Sequence, residues 1–207
     1  MPAVTYIVSA FDRPRFLRCC LASLQVQTDP DFEVIVACNS ADPGMQLVQV
    51  DIVNHLDNRF SFVDTDVMNA GERGSPAWDC YWSAEWVVEN LAKGEYVCLP
   101  SDDSYYVPLF QEAMLAKARA ENLGLVYCDM IYDRRFGGKY SVLQVRPLAN
   151  YIDKTGFMVR RDQWIGFPAK NTIELAPSDC DGKMIEELVR RRGVQHGKVD
   201  EVLVVHN

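Results

Sequence analysis

Short apolar runs that alternate with helical patterns constrain the fold of this 207-residue chain more than any other feature. Each run is long enough for one buried strand of a parallel sheet and too short for a helix. The alternation predicts an α/β chain with a doubly wound, mostly parallel central sheet flanked by helices. The predicted strands are residues 4–9, 32–38, 60–63, 96–99 and 123–128, and the predicted helices are residues 14–24, 76–91 and 110–121.

Turn signals separate these elements. Asp12 and Pro14 predict a helix that Asp12 caps and whose first turn contains Pro14. Residues 39–44 indicate a loop after the second strand. Residues 133–147 indicate a hairpin that turns at two adjacent glycines. The later predicted elements are a strand at 154–161, a helix at 179–192 and a strand at 199–205.

Composition and charge exclude several classes of function. The net charge of -8 argues against a nucleic-acid backbone or an anionic membrane as the principal partner. No apolar run approaches the length of a membrane span, and we expect no signal peptide, because Met1 and Pro2 lead directly into a predicted strand. Seven cysteines without a C-x-x-C pair indicate small buried thiols in a reducing compartment rather than a zinc site. We therefore expect one cytoplasmic domain.

Two adjacent carboxylates, Asp102 and Asp103, come shortly after the fourth predicted strand. Ligands of open α/β sheets bind in the crevice beyond the carboxyl ends of the strands. Adjacent carboxylates repel each other unless a cation or a set of donors neutralises them, and Mg²⁺ or Mn²⁺ held together with substrate phosphates would do so. The alternative is a turn followed by a helix cap, because Ser and Asp favour both.

Five sequence stretches carry a resemblance to one enzyme family. SAFDRPRFLRCCLASLQVQTDPDFEVIVA is similar to the family's opening strand, N-R-P-x-x-L turn and S-L-x-x-Q-T helix, and LAKGEYVCLPSDDSYYVP to its A-K-G-E-Y strand and D-x-D region. TGFMVRRDQWIGF is similar to the strand and G-G-F turn ahead of the catalytic helix. SDCDGKMIEELVRRRG is similar to the E-D-x-D helix, and VDEVLVVHN to the last strand with its terminal His. The chain thus resembles the GT-A glycosyltransferases, specifically the large inverting family 2.

The resemblance implies a GT-A fold and a metal-dependent glycosyltransferase. Such an enzyme moves a sugar from a nucleotide-diphosphate sugar, in the first place a UDP-sugar, to the hydroxyl of a saccharide or other acceptor with inversion. Mn²⁺ or Mg²⁺ is the implied cofactor. The implied division is a nucleotide-sugar-binding half, residues 1–128, and an acceptor and catalytic half, residues 129–207.

Individual site residues follow from the matching motifs. Asp103 matches the metal ligand of the D-x-D region, and Asp102 lies beside it for the donor ribose or diphosphate. Asp179 matches the general base that takes a proton from the acceptor hydroxyl, and Asp181 is the alternative if the register differs. An ordinary helix cap is the structural alternative for Asp179. His206 matches a position at which some members supply a metal ligand, with a purely structural His as the alternative.

The other donor contacts match the family less regularly. Asn39 stands near a position where family members have an Asp that hydrogen-bonds the edge of uracil. Because this chain lacks that Asp, the resemblance does not specify which nucleotide the donor carries. Ala84, Glu85 and Trp86 replace the A-R-N helix start. Arg73 is a candidate substitute cation for the diphosphate, with a solvated loop arginine as the alternative. The set predicted to bind the nucleotide sugar is Ser9, Phe11, Asp12, Asn39, Asp66, Arg73 and Asp102.

Two other functions fit parts of the sequence. A sugar nucleotidyltransferase would need a glycine-rich, basic phosphate loop after the first strand, and AFDRPR lacks the glycines. A catalytically silent carbohydrate- or partner-binding module on the same fold is favoured by the irregular donor motifs. The carboxylates Asp102, Asp103 and Asp179 argue against that module, and metal-dependent hydrolysis of the donor would distinguish the two.

Overall fold

The computed structural model describes residues 1–38, 43–55, 57–64, 76–133, 140–166 and 180–207, without the side chains of 52–55, 76–80 and 133. In these ranges nine strands form one sheet. The strands are β1 (Val4–Ala10), β2 (Phe32–Cys38), β3 (Phe60–Asp64), β4 (Tyr96–Cys98), β5 (Ser104–Tyr106), β6 (Leu125–Asp133), β7 (Tyr140–Leu143), β8 (Phe157–Arg160) and β9 (His196–His206). The helices are α1 (Pro14–Gln25), α2 (Pro43–His55), α3 (Pro76–Asn90), α4 (Phe110–Ala120) and α5 (Cys180–Glu186).

The strand order divides the sheet into two halves. The first half has the order β3-β2-β1-β4, and all its neighbouring strands run parallel. In the second half β8 is antiparallel to β4 and β6, β9 is parallel to β6, and β5 and β7 add antiparallel edges. The predicted α/β architecture with a Rossmann-like parallel sheet is confirmed, and the antiparallel pairing is confined to the second half.

Burial explains why the first strands read as continuous apolar runs. All seven residues of β1 are buried, and so are six of the seven residues of β2. Strands that are covered on both faces need apolar side chains at every position. The helix between them buries one apolar stripe, formed by Leu17, Cys20, Leu21 and Leu24.

A close backbone approach holds the chain beside β1 as it enters β4. The Gly94 N–H donates to the Thr5 hydroxyl at 2.8 Å, and this hydroxyl donates to the Glu33 carboxylate at 2.6 Å. A Cβ on Gly94 would lie only 2.7 Å from the carbonyl carbon of Val4, so any side chain would force the backbone apart. This approach sets the parallel register of β4 on β1 and thereby the place where the two carboxylates emerge.

The sequence patterns do not predict α2 and β5. α2 begins at Pro43, inside the predicted loop, and buries only Met45 and Val48 among its described first residues. Two buried positions give a weak helical pattern. β5 has three residues, and it exists because Ser104 to Tyr106 pair with the end of β9. Such pairing is a tertiary contact that a local pattern does not contain.

The prediction that Asp12 caps α1 is wrong. Arg13 occupies the N-cap position, and its side chain makes no cap hydrogen bond. Asp12 has φ 48°, in the left-handed region, where Asp is tolerated better than most residues. Pro14 does occupy the first turn, as predicted. The conformation of Asp12 directs the chain so that Arg13, rather than Asp12, is brought against the carboxylates.

The second half agrees with its predicted elements with three adjustments. The hairpin is confirmed by the antiparallel pairing of β6 with β7, and its turn lies outside the described residues. The strand expected at 154–161 begins as a 3-10 turn, Lys154–Gly156, before β8. The described part of the helix expected at 179–192 is α5, followed by a π-helical turn, Glu187–Arg191. β9 is longer than predicted and includes His196.

Two further expectations concern the thiols and the membrane. Among the six cysteines whose side chains the structure describes, five are buried free thiols as predicted, whereas Cys19 is an exposed free thiol. Within the described part of the chain, no helix combines the length and apolar character that crossing a bilayer requires. The buried thiols are Cys20, Cys38, Cys98, Cys128 and Cys180.

Candidate active site at the carboxyl ends of β1 and β4

The carboxyl ends of β1 and β4 lie side by side, and this places the start and the middle of the chain at one edge of the sheet. Ser9 forms a parallel bridge with Ser101, and the Ser9 N–H donates to the Pro100 carbonyl at 3.2 Å. Asp102 and Asp103 follow at once. The predicted convergence of Ser9, Phe11 and the two carboxylates at the strand ends is therefore observed.

Asp102 is an anchored carboxylate. Its side chain is completely buried and accepts from the Phe11 backbone N–H at 3.1 Å and from the Arg13 Nε–H at 3.3 Å. A second Arg13 nitrogen, Nη2, donates to its other oxygen. Burial raises the pKa of Asp102, and the Arg13 charge and these hydrogen bonds oppose the rise. Phe11 thus reaches the site through its backbone.

Asp103 is only partly satisfied. Its Oδ2 accepts from Nη1 of Arg13, while its buried Oδ1 has no hydrogen-bond partner among the described residues. The imidazole of His206 lies beside Oδ1, with its Nδ1 3.6 Å away. The backbone carbonyl of Asp103 is fixed by Asn207, whose backbone N–H and side-chain amide both donate to it at 3.3 Å. The side chain is therefore held in place with one oxygen open to a further ligand.

His206 is an ordered, buried residue beside Asp103. It pairs with Ser104 across β9 and β5, and its Nδ1 lies 3.1 Å from the Ser104 hydroxyl. Its Nε2 lies 4.0 Å from a carboxylate oxygen of Asp153, and its ring packs at 5.0 Å from that of Tyr132. The predicted proximity of His206 and Asp103 is observed, and the hydrogen bond to Ser104 is consistent with the structural alternative as well.

Arg13 contacts both carboxylates and is absent from the set of site residues that the sequence predicts. One guanidinium contacts both carboxylates, while 44% of its side chain remains exposed. The Asp102 and Asp103 charges raise the pKa of Arg13 against the opposing effect of burial. The signal was present in the sequence, because two adjacent buried carboxylates require a cation and Arg13 follows the neighbouring strand.

A second group of ionisable side chains lies beside α5. Asp181 is buried, and its Oδ2 accepts from the Lys154 backbone N–H at 2.8 Å, while Oδ1 has no hydrogen-bond partner in the described ranges. Burial, and then the nearby Asp153 charge, raise the pKa of Asp181 to about 7, although Lys154 and a hydrogen bond from Tyr81 oppose the rise. The Lys154 ammonium lies 5.3 Å from the centre of the Tyr81 ring.

Four predicted site residues lie outside the described residues: Asn39, Asp66, Arg73 and Asp179. Asp179 immediately precedes Cys180, the first residue of α5. Glu85, which replaces the family's arginine, is a buried residue of α3. The predicted roles of the four residues therefore remain predictions.

A divalent cation at Asp103 would find few protein ligands among the residues that the structure describes. Within the described ranges, no group of three or more His, Cys, Asp or Glu side chains could hold a metal. Mg²⁺ in nucleotide sites often takes only one or two carboxylates and completes its shell with substrate phosphates and water. The open oxygen of Asp103, with His206 beside it, fits a cation that is held jointly with a diphosphate.

The chain is similar in sequence to EpsH of Bacillus subtilis (strain 168), a protein named provisionally as a glycosyltransferase. The two are 26% identical over 158 residues, which cover 73% of this chain and 42% of EpsH. The chain thus spans less than half the length of this relative. No family model matches the chain.

Solved glycosyltransferase structures share its fold over nearly its whole length. TarS of S. aureus superposes with a TM-score of 0.69 at 18% identity and covers 100% of this chain and 37% of TarS. The mannosyltransferase PcManGT from Pyrobaculum calidifontis, in complex with GDP-Man and Mn²⁺, gives a TM-score of 0.74 at 18% identity, covering 99% of this chain and 56% of PcManGT. A TarS fragment in complex with UDP-GlcNAc gives 0.67 at 20% identity, covering 99% of this chain and 58% of the fragment. The fold of this chain is that of the GT-A-like glycosyltransferases.

Proposed function

We propose that this chain is the catalytic domain of a metal-dependent, inverting glycosyltransferase. It transfers a sugar from a nucleotide-diphosphate sugar to an acceptor hydroxyl. The proposal is supported by the similarity to EpsH and by neighbours of the same fold that bind UDP-GlcNAc or GDP-Man. A UDP-sugar is our first choice of donor and a GDP-sugar the second.

The observation that carries the proposal is the open oxygen of Asp103. A buried carboxylate oxygen without a hydrogen-bond partner is costly unless a ligand completes it. It lies at the carboxyl ends of parallel strands, where ligands of such sheets bind. Asp103 and His206 would hold Mn²⁺ or Mg²⁺, and the bound cation would neutralise charge that develops on the diphosphate leaving group.

The residues around Asp103 keep the donor half of the site in place. Asp102 ties Arg13 and the Phe11 backbone to the end of β4, and Asn207 ties Asp103 to the end of β9. Ser9 lies at the same edge and, with the predicted Asn39, Asp66 and Arg73, would contact the nucleotide sugar. Asp12 is exposed at the same turn and would also contact the nucleotide sugar.

The acceptor half would supply the base. We assign it to Asp179, which precedes α5 and would take the proton from the acceptor hydroxyl as that oxygen attacks the anomeric carbon from the face opposite the diphosphate. Inversion follows from this single displacement. Residues 1–128 would then bind the donor, and residues 129–207 would carry the acceptor and the base. The five buried free thiols favour a reducing, cytoplasmic setting.

A catalytically silent binding module is the second candidate. It is favoured by Arg13, whose single charge already partly compensates Asp102 and Asp103, and by the acidic Glu85 in place of the family's arginine. Such a module would bind a saccharide or a partner protein without turning over a nucleotide sugar.

Calorimetric titration tests the two candidates. UDP, GDP, UDP-GlcNAc and GDP-Man are titrated with Mn²⁺ or with EDTA into wild type and Asp103→Ala. The transferase proposal predicts binding that needs metal and that Asp103→Ala abolishes. Absence of nucleotide binding with any metal would overturn it in favour of the silent module. Metal-dependent hydrolysis of the preferred donor, measured by release of the nucleotide, would then establish turnover.

A further inference from the structure

We propose that Arg13 is a built-in cation that competes with the divalent metal for Asp103. The Arg13 guanidinium contacts both Asp102 and Asp103. When metal and donor diphosphate bind, Arg13 releases Asp103 and keeps Asp102. This inference rests on the proposed metal at Asp103.

The contacts of Arg13 are unequal, and the inequality decides which carboxylate is released. Asp102 has three donors, namely Nε and Nη2 of Arg13 and the Phe11 N–H. Asp103 has one Arg13 donor on Oδ2 and an open Oδ1. Breaking the single contact to Asp103 therefore disturbs the site least. The guanidinium would stay anchored by its two donors to Asp102.

Exposure makes the exchange physically simple. The side chains of Asp102 and Asp103 are buried, with 0% and 5% exposed, whereas 44% of the Arg13 side chain faces solvent. Nη1 can leave Asp103 and be hydrated without any change in the packing of the sheet. A buried carboxylate that loses one cation must gain another, so release of Arg13 and arrival of the metal are coupled.

Charge gives the exchange a direction. Arg13, Asp102 and Asp103 together carry a formal charge of −1, counted from one cation and two carboxylates. Arg13 thus weakens the field that would attract a metal alone. A diphosphate brings further negative charge, which favours both the metal and a freed Nη1 donor. The expected behaviour is weak metal binding without a nucleotide and much tighter binding with one.

Binding of Mn²⁺ alone tests the proposal. Mn²⁺ is titrated without nucleotide into wild type, Arg13→Gln and Arg18→Gln, and free Mn²⁺ is measured by electron paramagnetic resonance. Arg18 is the matched control, because it lies on the same helix and pairs with Asp51 at the surface. Arg13→Gln is expected to bind Mn²⁺ about tenfold more tightly, the low end of the effect of one adjacent charge. The Mn²⁺ affinity of Arg18→Gln is expected to equal that of wild type.

Unchanged or weaker Mn²⁺ binding by Arg13→Gln would overturn the proposal. The double variant Arg13→Gln, Asp103→Asn distinguishes a site at Asp103 from binding elsewhere. If Mn²⁺ binds at Asp103, this variant must lose the tighter Mn²⁺ binding of Arg13→Gln. Circular dichroism melting of Arg13→Gln with Mn²⁺ and with EDTA provides a second measurement if the variant is unstable, and the proposal requires Mn²⁺ to raise its melting temperature more than that of wild type. If Mn²⁺ binds wild type and Arg13→Gln equally, only the competition fails. If it binds neither, even with UDP or GDP, the metal in the proposed function fails as well.

Discussion

Two pairs of carboxylates approach His206, one through Asp103 and the other through Asp153, and they are compensated in different ways. In the first acidic pair, Asp102 and Asp103, a single guanidinium contacts both members. In the second acidic pair, Asp153 and Asp181, the buried Asp181 accepts a hydrogen bond from the Lys154 backbone N–H, and Oδ1 of Asp153 accepts from the backbone N–H and the hydroxyl of Thr155 in a 3-10 turn. A full cation thus touches the first pair, while the second relies on hydrogen bonds and on the more distant Lys154 ammonium.

The difference determines which pair can serve as an anionic ligand. Burial raises the pKa of both Asp102 and Asp181, but Arg13 opposes the rise at Asp102, whereas Asp153 adds to it at Asp181 and brings that pKa to about 7. Asp181 therefore binds a proton near neutral pH, and Asp102 is held by a permanent cation. We infer that the first pair serves the donor and its metal and that the second supports the start of α5.

The largest expected effect is on the rate of sugar transfer, and it comes from replacing Asp179, the proposed general base. Asp179→Asn should lower the rate of sugar transfer by about a thousandfold, the middle to upper range for loss of a general base. Asp181→Asn should lower it only slightly, because Asp181 is assigned a structural role. Rates are measured at saturating donor and acceptor, and calorimetry with UDP and Mn²⁺ serves as the control for intact donor binding. A severe loss in Asp181→Asn with a mild one in Asp179→Asn would shift the base to the second acidic pair.

The anchoring of Asp102 predicts the next largest effect, on stability. Asp102→Ala should lower the free energy of unfolding by about 3 kcal/mol, because the Phe11 N–H and Arg13 lose their buried acceptor. Asp51→Ala is the matched control, since it removes the exposed partner of Arg18 and should cost at most about 1 kcal/mol. Urea denaturation followed by circular dichroism measures both. Equal losses in the two variants would mean that Asp102 is not an anchor.

The sequence predicts the fold well where burial leaves a local pattern. β1 and β2 are covered on both faces, so their apolar runs mark them almost to the residue. α2 and β5 lack such a pattern, because α2 has few buried positions and β5 is defined by its pairing with β9. Local composition contains no information about that partner strand.

The site is predicted less completely for a similar reason. Asp102, Asp103 and His206 are recognisable because they follow or end predicted strands and match motifs of the family that the chain resembles, and the structure brings them to one edge. The contact of Arg13 with both carboxylates depends on the left-handed turn at Asp12, which residue type alone does not specify. The same turn explains why Asp12, although its residue type favours a cap, does not occupy the N-cap position of α1. A conformation, rather than a missing motif, accounts for this error.

The raised pKa of Asp181 makes the second acidic pair differ from the first in how the free energy of unfolding depends on pH. Its pKa is raised to about 7 in the folded protein, so between about pH 4 and pH 7 the unfolded chain binds fewer protons than the folded one, and stability falls as pH rises through that window. Asp181→Asn lacks this loss, because its amide oxygen still accepts the Lys154 N–H and carries no charge. The free energy of unfolding of Asp181→Asn relative to wild type should therefore rise by about 2 kcal/mol from pH 5 to pH 8.

Urea denaturation at the two pH values measures this change, with Asp162→Asn as the control, because Asp162 is exposed and paired with Arg160. The control should show little difference between the two pH values. A difference for Asp181→Asn that stays constant with pH would contradict the protonation of Asp181 and make the second acidic pair as anionic as the first.

The smallest expected effect concerns His206, where a ligand and a structural residue make different predictions. His206→Gln should weaken Mn²⁺ binding in the presence of UDP by about tenfold, because one neighbour of the open Asp103 oxygen is lost. His196→Gln is the matched control, since His196 is exposed at the other end of β9. If His206 serves only its hydrogen bond to Ser104, the variant will unfold at lower urea in EDTA and yet bind Mn²⁺ as wild type does. The two measurements together therefore decide whether the first acidic pair shares its cation with β9 or binds it through Asp103 alone.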